Sequence, residues 1–569
     1  MTVNPIDFFV DTLRTYPPIA VFLALGIGFV IGPIKIAGFN LGNVTATLLA
    51  GVVIGQLGIQ VSGDLKSTLF LIFLFAVGYG VGPQFVRGLS TDGPKQILFA
   101  LSVLVLCLIV PYLCALVAGL PLGYGAGMYA GSQTISAAIG VASDQINAMG
   151  MTPEQAKTYT DQIPIAYAVT YIWGTIGSAI ILAQLGPRLL GIDLPAACKE
   201  YEAKLGGGTV STEPGITRAY HDFGLRAYRI DEASGLTGTP VRNLLPGIRV
   251  FVERLRRGDQ IIEADGNTVL QPGDIVAFSG RRALLVEHLD SKLVEVEDKE
   301  LLNAEAEVLD VYVTNKALAG RTLADVSTED WARGVYARKI VRSLVEIPVL
   351  PGTTVERGDI VTIGGARRHV EAAIKALGFA DRPVETTDIA FLGWGLFFGA
   401  MVGALTLTIG GIPIGLSTSG GALLAGLVLG WLRSTYPAFG TIPAPALWLM
   451  NTLGLNIFIA VVGIGAGPGF VAGLQEVGIS LLIWGIVATS VPMIASVLIG
   501  HYVFRFHPAI LFGACAGVRT TTAALGMIQE AAKSKVPALG YGMPYAIGNT
   551  LLTIFGLVIV IMLAPSGGP

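Results

Sequence analysis

The chain has 569 residues, of which 52% are hydrophobic, and a formal net charge of −3; its mean hydropathy is +0.66. That hydropathy at that length excludes an ordinary soluble protein, and the near-neutral balance without a basic run excludes a nucleic-acid partner. Charge is unevenly placed: residues 1–190 hold 14 Asp, Glu, Lys and Arg, residues 389–569 hold 7, and the other 56 lie between, so two membrane halves flank a soluble insert.

Six apolar segments fall near 17–37, 41–61, 68–87, 97–119, 125–149 and 163–187. The first reads as a retained span rather than a signal peptide, because no small-residue cleavage site follows it. Most of these segments are long enough to cross a hydrocarbon core about 30 Å thick. Six more follow the insert, near 389–410, 412–432, 447–473, 478–500, 508–531 and 541–564. The fifth of each set is weakly hydrophobic and rich in Gly, Ser, Thr and Ala.

The two sets match internally. Gly51-Val52-Val53-Ile54-Gly55 answers Gly426-Leu427-Val428-Leu429-Gly430, and Gly78-x-Gly80-x-Gly82-Pro83-x-Phe85 answers Gly463-x-Gly465-x-Gly467-Pro468-x-Phe470. Ala130-Gly131-Ser132-Gln133-Thr134-Ile135-Ser136-Ala137-Ala138-Ile139-Gly140 answers Ala516-Gly517-Val518-Arg519-Thr520-Thr521-Thr522-Ala523-Ala524-Leu525-Gly526, and Tyr167-Ala168-Val169 answers Tyr545-Ala546-Ile547. Repeats with Gly/Pro-interrupted segments in corresponding places are the sequence pattern of secondary transporters, and the interruptions point to the binding site.

Loop charges choose between topologies. If each fifth segment is a re-entrant hairpin and the insert is cytoplasmic, Lys35, Arg87, Lys95, Arg188, Arg433, Arg505, Lys533 and Lys535 lie inside, against Arg14, Lys66 and Lys157 outside. Twelve full crossings give no such inside excess, so the positive-inside rule favours two inverted repeats, each of five crossings and one hairpin. The expected fold is a polytopic α-helical membrane protein with repeats at 1–191 and 389–569 and a soluble α/β insert of two small modules, at 192–300 and 301–388.

Within the insert, alternating apolar and polar residues with turn signals at Pro246-Gly247, Gly258-Asp259 and Pro272-Gly273-Asp274 indicate short strands. Both modules end alike, in Gly273-Asp274-Ile275-Val276 and Gly358-Asp359-Ile360-Val361, each followed by a helix-like stretch. These copies resemble the carboxy-terminal regulatory modules of potassium-transport regulators, which implies a small-molecule regulator.

Arg519 is the residue with the most chemistry. A charged side chain in membrane-type sequence marks a functional site by default, and a guanidinium matches a carboxylate with two parallel donors. Thr520, Thr521 and Thr522 beside it, and Ser132, Gln133, Thr134 and Ser136 in the partner hairpin, add hydroxyl and amide groups. The alternative is a structural arginine paired with a carbonyl or with Asp144. Gly82-Pro83 and Gly467-Pro468 free backbone carbonyls and become site candidates, against helix packing as the plainer role. Tyr171 and Asn549 are polar candidates in the sixth segments. Five histidines and four scattered cysteines (Cys107, Cys114, Cys198, Cys515) show no metal spacing, and no phosphate loop or catalytic constellation appears, so no cofactor and no enzymatic activity are expected.

The paired Gly-Pro motifs, the paired Ala-Gly hairpins with Arg519 and the two regulator-like modules together resemble the aspartate:alanine exchanger family, which includes succinate exporters. The resemblance implies a bacterial inner-membrane antiporter, with a cytoplasmic insert, for small amino acids or dicarboxylates. A homodimer is expected, formed through the scaffold segments, the first, second and fourth of each half. A channel or ion-coupled uptake system gated by the insert, or a membrane sensor without transport, stays open as an alternative.

Overall fold

The computed structural model describes residues 4–36, 39–40, 42–90, 94–205, 223–245, 248–290, 292–342, 345–381, 386–409, 412–436 and 440–564. The turn expected at Pro246-Gly247 lies outside them. Residues up to Tyr201 and from Pro383 onward form one compact unit, and Glu202–Arg342 with Glu346–Arg382 form another.

In the first unit, the amino-terminal half holds α1 (Pro5–Thr15), α2 (Pro17–Ile31), α3 (Asn43–Gly55), α4 (Gly63–Ser90), α5 (Pro94–Val117), α6 (Leu122–Ser132), α7 (Ala137–Ala148) and α8 (Pro153–Ile180). The carboxy-terminal half holds α9 (Ile389–Gly403), α10 (Ser417–Thr435), α11 (Ala444–Leu498), α12 (Pro508–Val518), α13 (Thr522–Ala532) and α14 (Ala538–Leu563). Among the described residues five helices are long and apolar enough to cross a membrane, or six if α1 and α2 count as one span bent by 107°. That bend sits at Tyr16, whose helical conformation the following Pro17 disfavours.

The same order of elements recurs in both halves. In each, the first segment runs into a two-stranded hairpin, Lys35–Ile36 with Phe39–Asn40 and Thr406–Ile409 with Ile412–Gly415. This shortens α2 and α9 to 15 residues each, below the roughly 20 a full crossing needs. Pro33 after α2, and the alternating β-branched run Thr406 to Ile409 after α9, explain the early helix ends.

One expected boundary is absent. Segments 447–473 and 478–500 are joined in the single 55-residue α11. Their first-half counterparts, α4 and α5, are separated by Thr91-Asp92-Gly93 with Pro94 opening α5, whereas α11 has Leu474-Gln475-Glu476-Val477 at that place. Leu, Gln and Glu are good helix formers, so nothing there interrupts the helix.

The halves pack reciprocally: α3 lies on α11 and α10 lies on α4. A Cβ on Gly55 would come 2.2 Å from the Ile464 carbonyl oxygen, and one on Gly463 would come 2.5 Å from that of Leu48. A Cβ on Gly78 would come 2.2 Å from the Leu423 carbonyl oxygen, and one on Gly430 the same distance from that of Tyr79. The repeated glycine motifs are therefore close-approach seams between helices of opposite halves. Pro83 and Pro468 sit inside α4 and α11 without ending them.

The second unit holds two five-stranded sheets. The first comprises β1 (Phe223–Arg229), β2 (Val250–Arg257), β3 (Gln260–Glu263), β4 (Ile275–Arg281) and β5 (Val294–Glu295), in the order β3-β2-β4-β1-β5. The second comprises β6 (Ala306–Val313), β7 (Val335–Arg342), β8 (Val345–Ile347), β9 (Ile360–Ala366) and β10 (Gly378–Asp381), in the order β8-β7-β9-β6-β10. The topology is the same in both.

The repeated Gly-Asp has one physical explanation. Gly273 and Gly358 take φ of +90° and +87°, and the aspartate after each accepts two hydrogen bonds from an arginine closing the second strand. Arg257 reaches Asp274 at 2.9 and 2.8 Å, and Arg342 reaches Asp359 at 2.8 and 2.7 Å. The same carboxylates accept from the backbone of Gln271 and Glu356, pinning the turn.

Between the sheets, Glu253 of β2 is buried and accepts from Ser279 (2.5 Å), Arg368 (3.2 Å) and His369 (3.1 Å). Burial opposes its charge, but the hydrogen bonds from His369 and Ser279 and the nearby charges of His369 and Arg368 outweigh that and hold its carboxyl below the usual range.

Two outcomes follow from this packing. Gly78→Leu should lower the melting temperature of the detergent-solubilised protein by the equivalent of about 1–3 kcal/mol of overpacking or more; an unchanged melting curve would refute the seam. Because the folded pKa of Glu253 is depressed, its contribution is full above the ordinary glutamate range and is lost as pH falls through the lower folded value. Hydrogen-exchange protection at 250–257 and 367–370, corrected for the intrinsic exchange rate at each pH, should therefore fall on acidification in the wild type, and Glu253→Gln should flatten that dependence; equal acid profiles would contradict it.

Candidate functional site

Each fifth segment is a helix pair with a break between, and the two breaks are built identically. Gln133 (φ −92°, ψ 0°) and Arg519 (φ −89°, ψ 6°) end α6 and α12. Thr134 and Thr520 then take left-handed φ of 57° and 53°. The Thr134 amide donates to the Gly131 carbonyl (3.0 Å) and the Ile135 amide to that of Ala130 (2.9 Å); Thr520 and Thr521 repeat this on Gly517 (2.9 Å) and Ala516 (3.1 Å). This pairing of bonds is the Schellman helix end, which normally places glycine where both breaks here place threonine. A β-branched residue in that region is strained by about 1–2 kcal/mol, and such strain clusters at working sites.

The structure brings the two breaks together. Arg519 is fully buried; it donates to the Ser132 carbonyl across the interface and to the Thr489 carbonyl of α11 at 3.3 Å. Thr134 Oγ1 donates back to the Arg519 carbonyl at 3.2 Å. Gln133 donates to Ser132 Oγ and to the Ala488 carbonyl, both at 3.1 Å, and Thr489 Oγ1 donates to the Ser132 carbonyl at 3.2 Å. Arg519 Nε and Gln133 Oε1 are buried without a hydrogen-bond partner.

Asp144 does not neutralise the arginine. Its carboxylate accepts instead from Ser419 of α10, and among the described residues no carboxylate forms an ion pair with Arg519. A buried arginine in a membrane helix costs about 3 kcal/mol, and two charge-assisted hydrogen bonds of about 1.5–3 kcal/mol each offset that. The carbonyls thus hold the side chain in place but leave its positive charge uncancelled.

The other candidates divide. Ser136 bonds Tyr167 at 2.7 Å, and Thr521 caps α13 by accepting from Ala524; Thr522 points outward as an exposed residue. Tyr171 packs against Tyr167 with ring centroids 5.0 Å apart and the rings tilted by 34°. Asn549 is buried on α14, one residue after Gly548, whose Cβ would meet the Val518 carbonyl oxygen at 2.2 Å. Gly82 and Gly467 belong to the seams described above rather than to the breaks.

Packing also resets the register of the sixth segments. Gly131 abuts Tyr171 N and Gly517 abuts Tyr545 N, and Tyr541 stacks on Tyr545 at 5.1 Å where Tyr167 packs against Tyr171, its ring tilted, at 5.0 Å. The equivalent pairs are Tyr167-x3-Tyr171 and Tyr541-x3-Tyr545, one helical turn from the alignment expected at Tyr545-Ala546-Ile547. Asn549 therefore corresponds to Thr175, not to Tyr171. Sequence reasoning also missed Thr489, whose only signal was the Thr489-Ser490 pair inside an apolar run; Ser490 accepts from Trp173 at 3.1 Å.

Comparison with known proteins fits this arrangement of repeats. The family model described as Predicted Permease Membrane Region, Asp-Al_Ex, matches residues 20–187 and 391–561, which are the two helical halves without the insert. The chain belongs to this family. Its relatives match over nearly their whole length: an uncharacterized transporter of Shewanella oneidensis is 50% identical over 559 residues, 97% of this chain and 99% of that one. One from Bradyrhizobium diazoefficiens is 42% identical over 509 residues, 89% and 98% of the two chains, and one from Zymomonas mobilis is 33% identical over 562 residues, 98% and 99%. No solved structure matches. This Asp-Al_Ex member is thus a multi-pass membrane transporter.

The strained threonine makes a direct test. Thr520→Gly, free of the left-handed penalty, should fold with an unchanged or higher melting temperature, whereas Thr520→Pro, whose φ is locked near −65°, should lose the amide bond to Gly517 and about 3 kcal/mol or more. Equal tolerance of both would show that the break is not fixed as described.

Proposed function

We propose that the protein exchanges small anionic substrates, amino acids of the aspartate and alanine type or dicarboxylates such as succinate, by alternating access. The observation that carries this reading is the charge of Arg519: buried where two helix breaks meet, with Nε unbonded and no carboxylate partner among the described residues. An anionic substrate supplies the missing charge and takes the free donor edge of the guanidinium, a geometry that suits a carboxylate. Gln133, at the equivalent place in the other break, presents its unbonded Oε1 as an acceptor to a donor group on the remainder of the substrate, such as an amino group. A substrate without a carboxylate would leave the arginine unpaired in a dry site, so the return step requires a second carboxylate-bearing substrate, which is the physical basis for exchange.

Full burial of Arg519 makes this an occluded arrangement. Access requires the two breaks to separate, which suits movement of the hairpin-bearing helices against the glycine-seamed ones, an elevator or rocking motion. The reading places the protein in a bacterial inner membrane as inverted repeats, with a cytoplasmic insert and a homodimeric assembly.

Counterflow in proteoliposomes tests it. Preloaded succinate or aspartate should accelerate uptake of the labelled counterpart. Removing charge-assisted hydrogen bonds worth about 1.5–3 kcal/mol each should weaken apparent affinity at least tenfold in Arg519→Lys and abolish exchange in Arg519→Ala. Wild-type exchange in both variants would sink the assignment.

A further inference from the structure

A second site lies in the insert, between its two sheets. A cavity of about 430 Å³ is lined by Ile248, Arg249, Arg281, Leu284 and His288 of the first module and by Trp331, Tyr336 and other, mostly aliphatic, residues of the second. That volume falls in the range of small-molecule sites, which favour junctions between domains. Among the described residues no aspartate or glutamate lines it, so its two arginines face a cavity whose described lining holds no counter-charge.

The two arginines do different work. Arg249 is the fixed one: its guanidinium donates to the carbonyls of Ser327 (3.2 Å), Ala332 (3.2 Å) and Val335 (2.8 Å), and it lies 5.6 Å from the Tyr336 ring centroid. It joins the modules. Arg281, at the end of β4, is exposed and forms no side-chain hydrogen bond or ion pair among the described residues. Burial lowers the pKa of Arg249; Tyr336 opposes that and the charge of Arg281 adds to it, so the two cations disfavour one another.

We propose that this junction binds a small organic anion with a flat apolar body, its carboxylate or phosphate on Arg281 and its body against Trp331 and Leu284. Both modules contribute, so the occupied cavity fixes their mutual arrangement and supplies the insert with a chemical input separate from the transported substrate. The aliphatic lining selects the body and the guanidinium selects the charge; neither alone fills the site.

Calorimetry on the full-length protein in detergent, with phenyl phosphate, indole-3-acetate and 2-naphthoate as probes, tests this. At least one probe should bind saturably, at one per chain, and at least tenfold more tightly than benzyl alcohol or inorganic phosphate. Arg281→Ala, an exposed position, and Leu284→Trp, which fills the cavity, should each weaken binding tenfold or more while leaving exchange by the membrane unit intact. Bound probe should slow hydrogen exchange in 281–288 and 323–336. Absence of binding by all three probes overturns the proposal, as does equal binding in both variants or tight binding of bare phosphate. None of these results bears on Arg519, so the transport reading stands or falls separately.

Discussion

One uncompensated positive charge organises the membrane unit. Arg519 is carried into a dry interior at the end of α12, and among the described residues its hydrogen bonds go to backbone carbonyls, those of Ser132 and Thr489. For those carbonyls to be available, α6 must end at Ser132, which requires the left-handed turn at Thr134. For the two breaks to meet, the halves must interlock closely, which the glycine seams of α3 with α11 and α4 with α10 allow. Each layer serves the placement of a single guanidinium.

Duplication is used twice, with different outcomes. In the insert, both copies keep the whole device: a positive-φ glycine, an aspartate and a two-pronged arginine at the same place in the same topology. In the membrane halves, the backbone device is copied but the chemistry is not, since Gln133 and Arg519 share dihedral angles while only one is charged. A symmetric scaffold with an asymmetric charge gives a site with a definite orientation. A substrate bearing one strongly held anionic group and one weakly held end fits it.

Much of this was legible in the sequence because the relevant signals are local. The Ala-Gly hairpins, the Gly-Asp turns and the lone arginine are visible as residue patterns, and each corresponds to a local backbone event. The register of the sixth segments was not legible: Tyr-Ala-aliphatic matches twice by composition, and only the contact of Gly131 and Gly517 with the neighbouring helix selects the alignment one turn away. The fusion of two segments into α11 depends on the absence of a breaker, a weaker signal than its presence. Thr489 and the cavity between the modules arise from residues far apart in the chain, and no spacing rule brings them together. The glycine seams could be read as packing or as site; interhelical distance decides for packing.

The central claim is that substrate charge and Arg519 meet where the two breaks converge. A structure determined with bound succinate measures this most directly. The account predicts a carboxylate on the Arg519 guanidinium, with Gln133 near the rest of the ligand. Succinate held elsewhere, with Arg519 still bound only to the Ser132 and Thr489 carbonyls, would contradict it.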